Sequence, residues 1–141
     1  MGIDLQRIVE DIAACITRID ARRPQAANAR TGKPYQPGIG PHPEVQAVAL
    51  IAAELPLLDP AYRDRIQVGV AHQDGSRQKC DLCIGTAPEW EWAIEVKMLR
   101  LMGDNGKAND NMLMHILSPY AIHRSALTDC EKLLGSRLAG R

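Results

Sequence analysis

The chain has 141 residues, an ordinary length for one domain. Apolar residues make up 45% and charged residues 24%, which excludes a wholly disordered chain. Lys+Arg and Asp+Glu balance at 17 each, so attachment to nucleic acid or lipid by bulk charge is excluded and any basic surface must be local. No run of ~18 apolar residues is present to span a membrane. The opening MGIDLQRIVEDIAA is not a secretory signal. Without one, Cys15, Cys80, Cys83 and Cys130 read as reduced thiols, which points to the cytoplasm. There is no Phe, so the core must be built from Ala, Leu, Ile, Val and Met.

Residues 3–23 have helical periodicity. Ile3, Ile8, Ile12, Ile16 and Ile19 recur at steps of three to five, widened by Leu5, Val9 and Ala13. Pro24 ends this helix. Residues 25–42 are dense in Gly, Pro and polar residues and read as a long loop, locally basic through Arg30 and Lys33 and, on the preceding helix, Arg18, Arg22 and Arg23. A second helix is expected over 43–55, opened by Pro43 and stopped by Pro56, with Val48, Ile51 and Leu55 facing inward. Glu44 falls on that inward face, where an acid is not expected. Glu54 reads as a surface residue.

Three strands follow, over 65–72, 79–86 and 90–101, the third being the longest. Asp74-Gly75 signals a hairpin turn between the first two. Short connections imply an antiparallel meander. Trp90 and Trp92 are expected on one face of the third strand, packing a helix against the sheet. Residues 103–111 form a polar loop, and 111–117 a short helix or turn. Ser118-Pro119 then reads as the cap of a last helix running to Leu134, with Ile122, Ala126, Cys130, Leu133 and Leu134 on its apolar face and Gly135 as its end.

The chemistry concentrates in the third strand. In Ala93-Ile94-Glu95-Val96-Lys97 the side chains alternate, so Glu95 and Lys97 share one face and Ile94 and Val96 the other. Asp81, polar among apolar neighbours, lies on the preceding strand and can meet Glu95 across it. Two carboxylates converging at a strand pair suit a hard divalent cation that takes a few carboxylates, waters and phosphate oxygens. A lysine beside them can orient an activated water or stabilise transition-state charge. Cys80 and Cys83 have CxxC spacing but no second pair of zinc ligands, and residues three apart on a strand face opposite sides; they read as small buried thiols. The Gly103–Ala108 stretch lacks the spacing and hydroxyl of a phosphate loop.

Asp81 followed by Glu95-Val96-Lys97, with Glu44 on an upstream helix, resembles the signature of the PD-(D/E)xK nuclease superfamily, which includes the restriction endonucleases. The resemblance covers roughly residues 43–135. It implies an α/β fold, a restriction endonuclease-like α-β-β-β-α core whose mixed sheet is flanked by helices, preceded by an additional N-terminal helix. It implies Asp81 and Glu95 as metal ligands, Lys97 as the catalytic lysine and Glu44 as a further helical acid. The implied cofactor is Mg²⁺, with Mn²⁺ as a substitute, and the implied activity is endonuclease hydrolysis of nucleic-acid phosphodiesters, with DNA as the expected partner. Two positions depart from the pattern. Cys80 replaces a proline that often precedes the Asp, and the final strand of such folds is not apparent before Arg141. The chain is therefore divided into an N-terminal helix (1–24), a loop (25–42) and a nuclease-like core (43–141) incomplete at its C-terminus.

Lys107, Asn109 and Asn111 of the polar loop, with Arg100, are the candidate substrate contacts. The alternative is a non-catalytic nucleic-acid-binding or interaction domain that retains the fold. Assembly as a homodimer is left open, and no membrane partner is expected.

Overall fold

A computed structural model describes residues 2–73, 75, 77–101, 107–109 and 112–139. Asp74 of the expected hairpin turn, most of the 103–111 loop and the candidate contact Asn111 lie outside the described residues. The elements are α1 (Leu5–Ala21), α2 (Glu44–Leu58), β1 (Ile66–Ala71), β2 (Lys79–Thr86), β3 (Glu89–Ile94), α3 (Met112–Leu117) and α4 (Ala126–Gly135), with 3₁₀ turns at Pro60–Tyr62 and Ala121–His123. No helix among the described residues is long and apolar enough to cross a membrane.

Helix α1 starts where the Asp4 side chain accepts the Arg7 backbone N–H at 2.9 Å. Its inward stripe is narrower than the run of isoleucines implies. Ile8, Cys15 and Ile19 are buried and Ile12 partly so, whereas Leu5, Val9 and Ile16 face solvent. The buried spacing of seven and four keeps these side chains on one side of a helix with 3.6 residues per turn. Helix α2 buries Val48, Ile51 and Leu55, as the sequence implies, and Ala47 beside them. It does not stop at Pro56 but runs on to Leu58. Pro56 sits in the last turn, where its missing N–H removes one hydrogen bond, and the end is secured by Asp59 donating to the Leu55 carbonyl at 2.9 Å.

Glu54 is not a surface residue. It is 2% exposed and bridges α2 to α1 through the Arg18 guanidinium at 2.8 Å and through Arg22. The acid is buried but its cations reach water, which lowers the cost of burying the charge. Segment 25–42 is folded back on α1. Asp20 accepts the Ile39 N–H at 2.9 Å, Gly38 donates to the Pro24 carbonyl at 2.8 Å, and Ile39 and His42 are buried.

The three strands form an antiparallel sheet in the order β1-β2-β3. One face packs against α1 and α2, with Leu82, Ile84, Trp92 and Ile94 meeting Ile8, Ile51, Leu55 and Tyr62. Each fully buried aliphatic side chain here contributes ~1.5–3 kcal/mol. The other face carries a small cluster of Cys80, Cys83, Trp90 and Leu138. Trp90 and Trp92 therefore lie on opposite faces, contrary to the simple alternation. The register slips between Ile84 and Gly85, so that Trp92 pairs with Ile84 while Trp90 pairs with Gly85. Glu91 is the extra residue of a β-bulge, which turns one tryptophan to each face. Gly85 makes room for it: its φ is +130° and an added Cβ would stand 2.6 Å from the Glu91 nitrogen. Cys80 and Cys83 likewise share one cluster instead of facing apart.

The C-terminal part departs most from expectation. Ser118 does not open the last helix. Its hydroxyl is tied to His123 Nδ1 at 2.6 Å, the chain makes a 3₁₀ turn, and Arg124 adopts left-handed backbone (φ 46°, ψ 49°) before Ser125 caps α4. The apolar face assigned to that helix is not buried: Ile122 is 85% and Leu134 80% exposed. Helix α4 instead meets the segment that follows β3 through charged side chains. After it, Trp90 donates to the Leu138 carbonyl at 3.2 Å and Ala139 makes a parallel bridge to Trp90. The described sheet is thus antiparallel, with one parallel bridge at its β3 edge.

Candidate active site beyond the end of β3

The pairing of β3 ends at Ile94, so Glu95, Val96 and Lys97 lie beyond the ladder, not within the long third strand expected. Side chains take over where the backbone ladder stops. The Val96 N–H donates to Asp81 Oδ2 at 2.8 Å, and the Met98 N–H donates to Glu44 Oε2 at 2.9 Å. These bonds satisfy amides that would otherwise need a strand. They also keep the segment extended. Val96 and Met98 pack with Ile94 against the helix-side core, and Glu95 and Lys97 fall on the opposite side.

The register Leu82↔Ile94, carried one step further, sets Asp81 beside Glu95 on the neighbouring strand. The Glu95 side chain is 5% exposed. Its Oε1 lies 2.8 Å from Lys132 Nζ and 3.5 Å from Nε2 of the buried His72. His72 Nδ1 pairs with Ser136 Oγ at 3.1 Å. Lys97 Nζ is 3.1 Å from Asp129 Oδ2 and 3.6 Å from Glu44 Oε1. Asp129 also reaches Lys132, at 3.4 Å.

Burial pushes the Glu95 carboxyl up to about 8; the Lys132 ammonium opposes this and the Asp81 carboxylate adds to it. For Lys132, burial disfavours the ammonium, but Glu95 and Asp129 outweigh it and the pKa is raised.

Of the residues singled out from the sequence, Glu44, Asp81, Glu95 and Lys97 come together. Arg100 is adjacent, with its guanidinium donating to the carbonyls of Pro41 at 3.2 Å and His42 at 2.5 Å. Asn109 lines the same cleft, whereas Lys107 is exposed and does not line it. His72, Asp129 and Lys132 were not anticipated as members. Asp129 and Lys132 are three apart and share a helix side. The apolar residues of that helix pointed the reading to a different face, so this signal stayed hidden.

The donor chemistry here suits a divalent cation. Two carboxylates face one another at the end of a strand pair, and like charge between them would be relieved by a cation of oxygen-preferring type. No group of three His, Cys, Asp or Glu close enough to form a ready-made metal cage occurs among the described residues. Two carboxylates completed by water are nevertheless an ordinary set for Mg²⁺.

Beside Lys97 opens a cleft of about 420 Å³ lined by Glu44, Arg100, His115, His123 and Arg124. A larger open depression, about 860 Å³, lies around Trp90, Trp92 and Leu138, and none of the candidate acids lines it. Its titratable residues are Glu89, Glu91 and Arg137, whereas Glu44 and Lys97 line the smaller cleft, beneath which the buried Glu95 stands two residues from Lys97. No protein-family model, curated protein or solved structure matches the chain.

Proposed function

We propose that the chain is a metal-dependent phosphodiesterase acting on nucleic acid, with DNA the expected substrate and the PD-(D/E)xK arrangement as its template. The observation that carries this reading is the juxtaposition of Asp81 and Glu95 across neighbouring strands, with Lys97, two residues on, lining a basic cleft. The parallel bridge of Ala139 to Trp90, reached through α4, supports it further, because the resemblance calls for one more strand after that helix.

Asp81 and Glu95 would hold the metal. A divalent cation bound there supplies an acidified water and neutralises charge on phosphoryl oxygens. Lys97, held by Glu44 and Asp129, presents its ammonium at the cleft and orients the attacking water. Asp81 and Glu44 keep the 95–98 segment in place by accepting the amides of Val96 and Met98. Lys132 holds Glu95 within the site and compensates its charge.

The test is cleavage of duplex and single-stranded DNA in Mg²⁺ or Mn²⁺ by the wild type and by Lys97→Gln. Metal-dependent products that vanish in Lys97→Gln, with an unchanged melting temperature, are expected. A folded wild type that neither cuts nor binds Mn²⁺ by calorimetry overturns the reading. A binding domain without catalysis is the second reading, favoured by the Lys132 ammonium already engaging Glu95. It predicts salt-dependent DNA binding that survives Lys97→Gln, without cleavage by either protein.

A further inference from the structure

We infer that the Tyr120–Ser125 turn, through Arg124, forms a phosphate subsite that grips the nucleic-acid backbone next to Lys97. The inference rests on the proposed function and names the residues that hold the substrate away from the reacting carboxylates.

Charge is the first argument. Among the described residues the cleft is lined by three basic side chains, Lys97, Arg100 and Arg124, and one carboxylate, Glu44. The whole chain is neutral, so this cationic excess is a local feature. Lys97 is compensated by Glu44 and Asp129. Arg100 is not: its described partners are two neutral carbonyls. Arg124 is exposed, and no carboxylate pairs with it among the described residues. Two arginines therefore bring charge to the cleft with no acid paired to either among the described residues. A planar guanidinium matches a phosphate with two parallel hydrogen bonds.

Backbone geometry is the second argument. Arg124 is left-handed, φ 46° and ψ 49°. This conformation favours glycine, and a long side chain held in it is a feature that clusters at binding sites. The neighbours fix it there. The Arg124 N–H donates to the Ala121 carbonyl at 3.2 Å, and Ser125, fully buried, caps α4 and donates to the Ser118 carbonyl at 2.5 Å. His123, also in the cleft wall, is braced by Ser118 and stands edge-on to Tyr120 with ring centroids 5.7 Å apart. A braced turn of this kind presents its side chains at a fixed position over the cleft.

The ligand is the phosphodiester backbone of DNA, bound by charge and shape without base reading. The test measures affinity for a short duplex by fluorescence anisotropy in EDTA, across a salt series, for wild type, Arg124→Gly and Arg63→Ala. Glycine removes the charge and relieves the left-handed backbone, so a folding defect is not expected and the melting temperature should not fall. Arg63 is exposed and does not line the cleft. One phosphate contact contributes ~0.9 to the slope of log K against log salt, so Arg124→Gly should lose about 0.9 of slope and bind about eightfold more weakly at ~0.1 M salt. Arg63→Ala should bind within twofold of wild type. Wild-type binding with an unchanged slope in Arg124→Gly, or an equal loss in Arg63→Ala, overturns the subsite and leaves the proposed function standing. A wild type with no salt-dependent affinity for DNA overturns both.

Discussion

Replacing Glu95 with glutamine should stabilise the metal-free protein at alkaline pH. The carboxyl is buried and its pKa is raised from 4.5 to about 8. Its folded value thus exceeds its unfolded value. Between these two values the native state keeps a proton that the unfolded chain releases. Wild-type stability therefore contains a contribution that is complete below about pH 4.5 and is lost as the pH rises to about 8. At ~1.36 kcal/mol per pH unit, the loss amounts to at most about 5 kcal/mol. Glutamine has nearly the same shape and does not ionise. Lys132 keeps Asp129 as a partner, at 3.4 Å. The stability of Glu95→Gln minus that of wild type should then be near zero at about pH 4.5, climb through neutrality and level off above about pH 8 at roughly 2–5 kcal/mol. Urea unfolding in EDTA from about pH 4.5 to about pH 9 measures this difference, in which other titrating groups largely cancel. Parallel curves across that range, or a less stable variant at high pH, would refute the argument that burial governs Glu95.

Gly85→Ala should lower stability by more than ~2 kcal/mol in urea unfolding, because the positive φ and the 2.6 Å approach to the Glu91 nitrogen leave no room for a methyl group. The bridge at Glu54 should respond asymmetrically. Arg18→Met with Arg22→Met strands a buried acid and should lower the melting temperature more than Glu54→Met, which leaves both arginines in water. Native protein should take up one equivalent of a thiol reagent, at Cys130, and all four cysteines should react in denaturant, since Cys15, Cys80 and Cys83 are buried.

The sequence made the helix-helix-strand-strand-strand order legible because α1 and α2 carry apolar residues at helical spacing and the strands are short apolar runs separated by turn residues. The carboxylate pair was legible because the alternation of Ile94, Glu95, Val96 and Lys97 survives beyond the end of hydrogen-bonded pairing. Periodicity could not reveal the bulge, because one inserted residue at Glu91 reverses a face without altering the composition of the strand. It misassigned Glu54 because a buried acid depends on partners, Arg18 and Arg22, that lie 36 and 32 positions away. It also misread the last helix. Apolar residues at 122, 126, 130 and 134 are spaced like a core stripe, but what binds α4 to the segment after β3 is Lys132 on Glu95 and Asp129 on Lys97. Ion pairs of this type leave no periodic trace.

The amides of Val96 and Met98 rest on the acids at 81 and 44, and this shapes how mutagenesis of the region should be interpreted. An alanine at Asp81 or Glu44 deletes a carboxylate and also unfastens the backbone that carries Glu95 and Lys97, so a dead variant would look like a lost ligand even if only the segment had come adrift. Asparagine at 81 and glutamine at 44 keep an oxygen acceptor for each amide while removing the charge. The amide variants isolate electrostatics, the alanines remove electrostatics and anchorage together, and the contrast between them separates two roles that a conventional scan would merge.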